Sequence, residues 1–435
     1  MKRLVSALIA FGVLIRAQVP GSGLPVEQRA WVASKLYASI QMFNAHSEGA
    51  PGFDLDREYR AYLKVAMEAA DRRAFDLATI AFAGKLRNGH SGFYDSWLLQ
   101  NHGQPLGFSL LPMTEGWVVT TSQLPGLSPG DIVVSVGGKP IENFYAENDA
   151  MLEGSSEATR RRKFCWSTHL WPERFDLVLT NGKTVSIDRG NQKLESAKTF
   201  PFPQGEVRTP EGIGFIRIQS FEDPAHEMSA VRRVKQLSAA KALIIDVRGN
   251  GGGSSPTQLI STLLDRPWRD FRYTTPVHIA HAGAQNQVRR AFPKVQSDPY
   301  LRGYLDAFEE FRNADVLTPG AAYSPSADAY KGKVILLVDG FCNSACEDFI
   351  QPFKSTGRGI LIGEASNGSS GQPYYYDFGD GMSFRVSSKR YYLPDGNPLE
   401  GVGIRPDVEI RPSLADWRGG SDPVLAKALQ LAAQN

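Results

Sequence analysis

VILLVDGFCNSACEDFIQPFK, residues 334–354, reads as a buried strand, a turn and a helix. The five apolar residues from Val334 to Val338 leave no polar face, so the strand needs cover on both sides. Ala345, Phe349 and Phe353 then recur every four residues and share one helix face. The same grammar appears upstream. Ala242-Leu243-Ile244-Ile245-Asp246-Val247 runs into Arg248-Gly249-Asn250-Gly251-Gly252-Gly253, and SSPTQLISTLL follows as a helix; Gly214-Phe215-Ile216-Arg217-Ile218 precedes a helix that begins after Pro224. Apolar strands alternating with helices predict a three-layer α/β domain.

The chain has 435 residues, too long for one core, and its 42% hydrophobic and 22% charged residues are those of a folded chain. Basic and acidic residues (48 and 46) nearly cancel, which argues against a nucleic-acid partner. Met1-Lys2-Arg3 followed by LVSALIAFGVLI has the basic start and short apolar run of a signal peptide ending at Ala17. Export to a periplasmic or extracellular location, with no stable membrane span after its removal, is the expectation. Residues 18–95 carry helical spacing, as in Trp31, Leu36, Tyr37, Ile40 and Phe43 and again in Phe75, Leu77, Ile80 and Phe82. Residues 96–195 switch to short β-rich runs with turns at Pro129-Gly130 and Asn181-Gly182, and residues 196–435 form the α/β core. Arg160-Arg161-Arg162-Lys163 reads as a solvated helix face.

Chemistry-bearing residues stand out in three places. The glycines at 251–253 free backbone N–H groups to face an oxyanion, whereas a dinucleotide turn would need glycine at 254, where Ser254 stands. Ser344 sits where its helix begins, as either a cap or a nucleophile at the positive end of the helix dipole. Cys342 and Cys346 flank it and read as small buried residues. Among seven histidines, His90 in Asn88-Gly89-His90-Ser91-Gly92 is the most accessible by its small neighbours. His278 and His281 fall three apart in a strand-like run, on opposite faces, so no metal pair is expected there. No cofactor motif is found.

Residues 96–195 resemble a PDZ domain. Gly107-Phe108-Ser109-Leu110 matches the carboxylate-binding loop, and PGLSPGDIVVSVGGKPI the segment after the central strands. The resemblance implies capture of a peptide C-terminus by strand addition.

Taken together, DVRGNGGG, the segment around Ser344, NGHSG and YYLPDGNPLEGVGIRPDVEI resemble the serine peptidases that include carboxy-terminal processing proteases and the tricorn protease core. That resemblance implies a crotonase-like β/α catalytic core behind an N-terminal helical domain and a PDZ-like domain, with Ser344 as nucleophile and a peptide or protein as substrate. The processing proteases pair their serine with a lysine about 25 residues later, but no lysine occurs between Lys354 and Lys389. The tricorn-like pattern, a histidine after the helical domain and a glutamate before a GxGIxPD-like segment, falls on His90 and Glu400. Its oxyanion hole would use an N–H from Gly251 or Gly252 and that of Ala345. Tricorn also has a serine directly before its histidine; this chain has Gly89, with Ser91 following as the candidate for a supporting role. A histidine base of ordinary pKa implies activity rising through roughly pH 6 to 7.5. The alternatives are a catalytically silent binding protein of the same fold, against which the retention of Ser344, His90 and Glu400 argues, and a hydrolase of non-peptide acyl compounds, which the same triad would serve.

Overall fold

The computed structural model describes residues 23–46, 50–195, 209–276 and 315–434. The signal-peptide residues and the His278/His281 pair lie outside them. Five parallel strands form the core sheet, in the order Val408–Glu409, Gly359–Gly363, Lys333–Val338, Ala242–Asp246 and Ile213–Arg217. One face packs on helices Pro224–Gln236, Thr257–Leu263 and Ala345–Thr356 through Val231, Val234, Leu259 and Phe349. The other packs on helix Pro423–Ala433 through Val424, Ala428 and Ala432. The fully apolar strands are thus covered on both sides, as their composition requires.

A second sheet is antiparallel and contains Phe108–Met113, Gly116–Ser122, Ile132–Val136, Arg174–Leu179 and Thr184–Asp188, with Lys139–Pro140 added to the third strand. Phe108–Met113 is one of its two edges, Thr184–Asp188 the other. Leu111 from this strand packs with Phe341 and Trp417, which ties the second sheet to the turn before Ser344.

The N-terminal helices Val26–Phe43, Leu55–Glu68 and Arg72–Gly84 do not close a core alone. Met382, Phe384 and Val386 from a distant hairpin, Pro373–Gly379 and Met382–Ser387, complete it. Strand Gly92–Asp95 pairs with that hairpin in the register Gly92 to Arg385 and Asp95 to Met382. This pairing, over nearly 300 residues of chain, fixes the NGHSG loop against the C-terminal half.

The basic run differs from the sequence expectation. Arg160 pairs with Asp149, Arg161 with Glu142 and Glu157, and Arg162 with Glu364. Lys163 points inward, with burial lowering its pKa. Helix Glu157–Lys163 packs beside the edge strand Phe108–Met113 rather than standing solvated on one face, and three of its four positive charges are paired with carboxylates.

Candidate active site

Ser344 is the N-cap of Ala345–Thr356, yet its backbone is unlike that of the other helix starts. Asp54, Asp71, Asp95, Ser156, Asp223, Ser413 and Asp422 cap their helices from extended conformations, whereas Ser344 has φ 53° and ψ −121°. A non-glycine residue held there costs about 1–3 kcal/mol and persists only when its surroundings enforce it. The enforcement is visible: Ser344 N–H donates to Ser369 O at 3.0 Å and lies 3.3 Å from Glu347 Oε2.

Glu347 is fully buried and accepts further bonds from Ser366 Oγ at 2.6 Å, Gly368 N at 2.8 Å and Ser369 N at 3.0 Å. Burial pushes its pKa up to about 8 against those bonds. One carboxyl therefore fastens the loop 366–369 to the start of the helix.

The glycine run meets the same turn. Gly252, at φ 100°, lies so close that a Cβ there would stand 2.6 Å from Asn343 O, 2.8 Å from Ser344 Cβ and 3.0 Å from Ala345 N. Only glycine fits both the dihedral and the contact. Gly252 N–H donates to Asn250 Oδ1 at 2.9 Å, so as a donor to an oxyanion it is already engaged. Gly251 N–H and Ala345 N–H have no protein acceptor among the described residues. Arg248, buried and paired with Asp246 and Asp422, holds the loop's base.

His90 is buried in the loop between Arg72–Gly84 and Gly92–Asp95. Its N–H donates to Asn88 Oδ1 at 2.8 Å, and its Nδ1 lies 3.0 Å from Ser369 Oγ. Burial, with Arg385 and Lys163 nearby, holds its pKa well below the ordinary histidine value. Ser91 does not touch the ring; its Oγ donates to Asn88 Oδ1 at 3.2 Å and accepts from Ser387 N at 3.0 Å, stitching the loop to the hairpin.

Glu400 Oε1 accepts from Asn88 Nδ2 at 2.7 Å and from Ser155 Oγ. Its Oε2 is shielded from solvent and has no hydrogen-bond partner. Burial raises the carboxyl to about 7, while Ser155, Ser369, Gly89 N–H and Lys163 favour its charged form. Ser344, His90 and Glu400 thus gather around one loop, but no direct hydrogen bond joins any two of them. The residue between them, Ser369, was not singled out from sequence. Beside the helix, a cavity of about 350 Å³ is lined by Ser255, Asp270, Tyr273, Asp348, Lys389 and Tyr391.

Cys342 and Cys346 are joined as a disulfide, with Cα atoms 5.3 Å apart, which corrects the reading of two inert buried thiols. It closes a five-residue loop with Ser344 at its centre. Loop-closure entropy for so short a ring is worth about 2 kcal/mol. Cys342→Ala/Cys346→Ala should lower stability by about that amount in urea unfolding, and dithiothreitol should do the same to the natural chain; an unchanged midpoint in both would refute the contribution.

The expected carboxylate loop is covered. Gly107 has φ 74°, and a Cβ there would meet Leu194 Cδ2 at 2.8 Å. Gln123 anchors the covering segment through bonds with Glu195 N at 3.1 Å and Glu195 O at 3.2 Å. Phe108, Ser109 and Leu110 are all buried.

Comparison with known proteins finds a family match over the α/β core. Residues 212–410 match the family model of peptidase family S41. The chain is 22% identical over 310 residues to a chloroplastic C-terminal processing peptidase of Tetradesmus obliquus, covering 66% of this chain and 54% of that protein. It is 21% identical over 292 residues to the carboxy-terminal processing protease CtpB of Bacillus subtilis (strain 168), covering 66% and 49%. The chain thus spans about half the length of these curated relatives. Among solved structures, mature CPAF complexed with lactacystin superposes with a TM-score of 0.66 at 15% identity, covering 93% of this chain and 97% of that one. The photosystem II D1 C-terminal processing protease superposes with a TM-score of 0.50 at 18% identity, covering 90% and 94%. The match falls on the α/β core that carries Ser344, and that part of the chain is similar to peptidase family S41.

Proposed function

We propose that the protein is an exported serine endopeptidase in which Ser344 attacks the scissile carbonyl, His90 takes and returns the proton, and Glu400 stabilises the charged imidazole. The observation that carries this reading is the strained Ser344 backbone at a helix start, tied through Ser369 to His90. A hydroxyl so placed meets the positive end of the helix dipole, and the free N–H groups of Gly251 and Ala345 are the donors for an oxyanion. Contacts between nucleophile and base commonly tighten only when substrate is bound, so the open Ser344 to His90 gap is compatible with the role.

Export is supported by the Cys342–Cys346 disulfide, since such bonds persist in oxidising compartments. Among the described residues no helix is long and apolar enough to cross a membrane. The reading is tested by a fluorophosphonate probe followed by peptide mapping, with hydrolysis of a casein digest measured in parallel. Modification at Ser344 together with turnover supports it; a folded chain that is neither labelled nor active overturns it in favour of a silent binding protein. Labelling with ester but no peptide turnover would point to the acyl-hydrolase alternative.

The PDZ-like domain is assigned to peptide C-termini, with Leu194 occupying the site in the free chain. Leu194→Ala in the full chain should tighten binding of a free-acid peptide several-fold and leave its amidated form unchanged by calorimetric titration. Equal affinity for both peptides would reduce the domain to a structural support.

A further inference from the structure

Resting on the serine-peptidase reading, we propose that Ser369 is the positioning residue that couples His90 to Glu400, its hydroxyl accepting from His90 Nδ1–H and donating to Glu400 Oε2. Three observations converge on it. Ser369 is fully buried with Oγ 3.0 Å from His90 Nδ1. Glu400 Oε2 is a shielded carboxylate oxygen without a partner, and the Ser369 hydroxyl is among the groups that favour its charged form. The backbone of Ser369 is pinned to the nucleophile's own turn, accepting from Ser344 N at 3.0 Å and donating to Glu347 Oε2 at 3.0 Å.

The chemistry requires a group of this type at this place. A base must present a bare Nε2 to the attacking hydroxyl, so Nδ1 carries the proton and is a donor. An ionised carboxylate only accepts, and a hydroxyl can accept and donate at once. Ser369 therefore fixes the tautomer of His90 and lets Glu400 feel the imidazolium that forms, without a direct contact between ring and carboxylate. No bond is made or broken at Ser369, and the proton taken from Ser344 stays on His90 Nε2 until it reaches the leaving amine.

Gly89 explains how the hydroxyl comes to occupy this space. A Cβ on residue 89 would stand 2.6 Å from Ser369 Oγ and 3.0 Å from its Cβ. Residue 89 has no side chain because Ser369 fills the volume in front of it. The two positions should then be interchangeable: a serine at 89 can deliver a hydroxyl to the same place once residue 369 has lost its own.

The experiment compares the natural chain with Ser369→Ala, Ser369→Gly, Gly89→Ser and Gly89→Ser/Ser369→Gly, each checked for folding by circular dichroism. Losing a hydrogen bond to a charged group corresponds to about 10- to 100-fold, so Ser369→Ala should lower kcat by that factor with KM nearly unchanged. Gly89→Ser alone should be impaired by the clash, and the double variant should recover at least tenfold over Ser369→Gly. Nitrogen-15 histidine spectra give a readout independent of turnover: the Nδ1–H form of His90 should dominate in the natural chain and give way to a tautomer mixture in Ser369→Ala.

A Ser369→Ala variant with natural kcat, pH profile and His90 tautomer overturns the proposal. So does a double variant that stays as impaired as Ser369→Gly while folded. If the natural chain is unlabelled by fluorophosphonate, the peptidase reading fails instead, and the tautomer spectra still decide whether Ser369 sets the state of His90.

Discussion

Ser344→Ala should abolish fluorophosphonate labelling and lower kcat by about 10⁵- to 10⁶-fold, and His90→Ala should cost nearly as much. Nucleophile and base act as a unit, so the double variant should be little worse than either single one. The residual rate would come from Gly251 and Ala345 N–H groups and from substrate binding. The alternative base is a lysine, and the structure changes which lysine that is. Lys354 is paired with Asp407, and Lys389 lies over the Tyr273 ring in the neighbouring cavity. Lys163 is the lysine beside the site, its Nζ 4.0 Å from where a Cβ on Gly89 would be, with charge acting on both His90 and Glu400. A folded His90→Ala variant with near-natural turnover, together with an inactive Lys163→Met, would make Lys163 the base and end the histidine assignment.

What could be read from sequence was local. The strand, turn and helix around Ser344 follow from apolar runs and a four-residue repeat, and the structure has Lys333–Val338 and Ala345–Thr356 where that pattern falls. The need for glycine at 252 was legible as a triplet, though not that Asn250 would occupy one of its N–H groups. The remainder depended on contacts distant in sequence. Cys342 and Cys346 are an i, i+4 pair that suits a buried helix face equally well; only the sharp turn at Ser344 brings them into bonding range. Arg162 read as solvated because its carboxylate partner, Glu364, lies about two hundred residues away, and the burial of Lys163 likewise depends on the fold. Ser369, an unremarkable serine in Asn367-Gly368-Ser369-Ser370, acquires its place from Glu347 and from the volume left by Gly89.

Glu400→Gln should remove the pH dependence of kcat/KM, and this follows from a reversal of the ordinary histidine argument. A histidine of usual pKa would give activity rising through roughly pH 6 to 7.5. His90, however, is buried beside Arg385 and Lys163, and both cations and desolvation disfavour its charged form, so the free enzyme's ring is already neutral well below that range. The group that changes charge near neutrality is Glu400, raised by burial to about 7. Only its carboxylate can accept from Ser369 and balance an imidazolium, so kcat/KM should climb through about pH 7 in the natural chain. In Glu400→Gln it should be flat from pH 6 to 8 and about 10- to 100-fold lower than the natural plateau. Lys163→Met removes a positive charge that favours ionised Glu400, so the limb should move to higher pH. Stability gives an independent check of sign. A carboxyl whose folded pKa is raised stabilises the fold below its unfolded value, near about 4.3, and that contribution is lost as pH rises through the folded value near 7. Glu400→Gln should therefore gain in Tm relative to the natural chain between pH 5 and pH 8. A limb near pH 7 that persists in Glu400→Gln, with no such gain, would assign the titration to another group and leave Glu400 without its role.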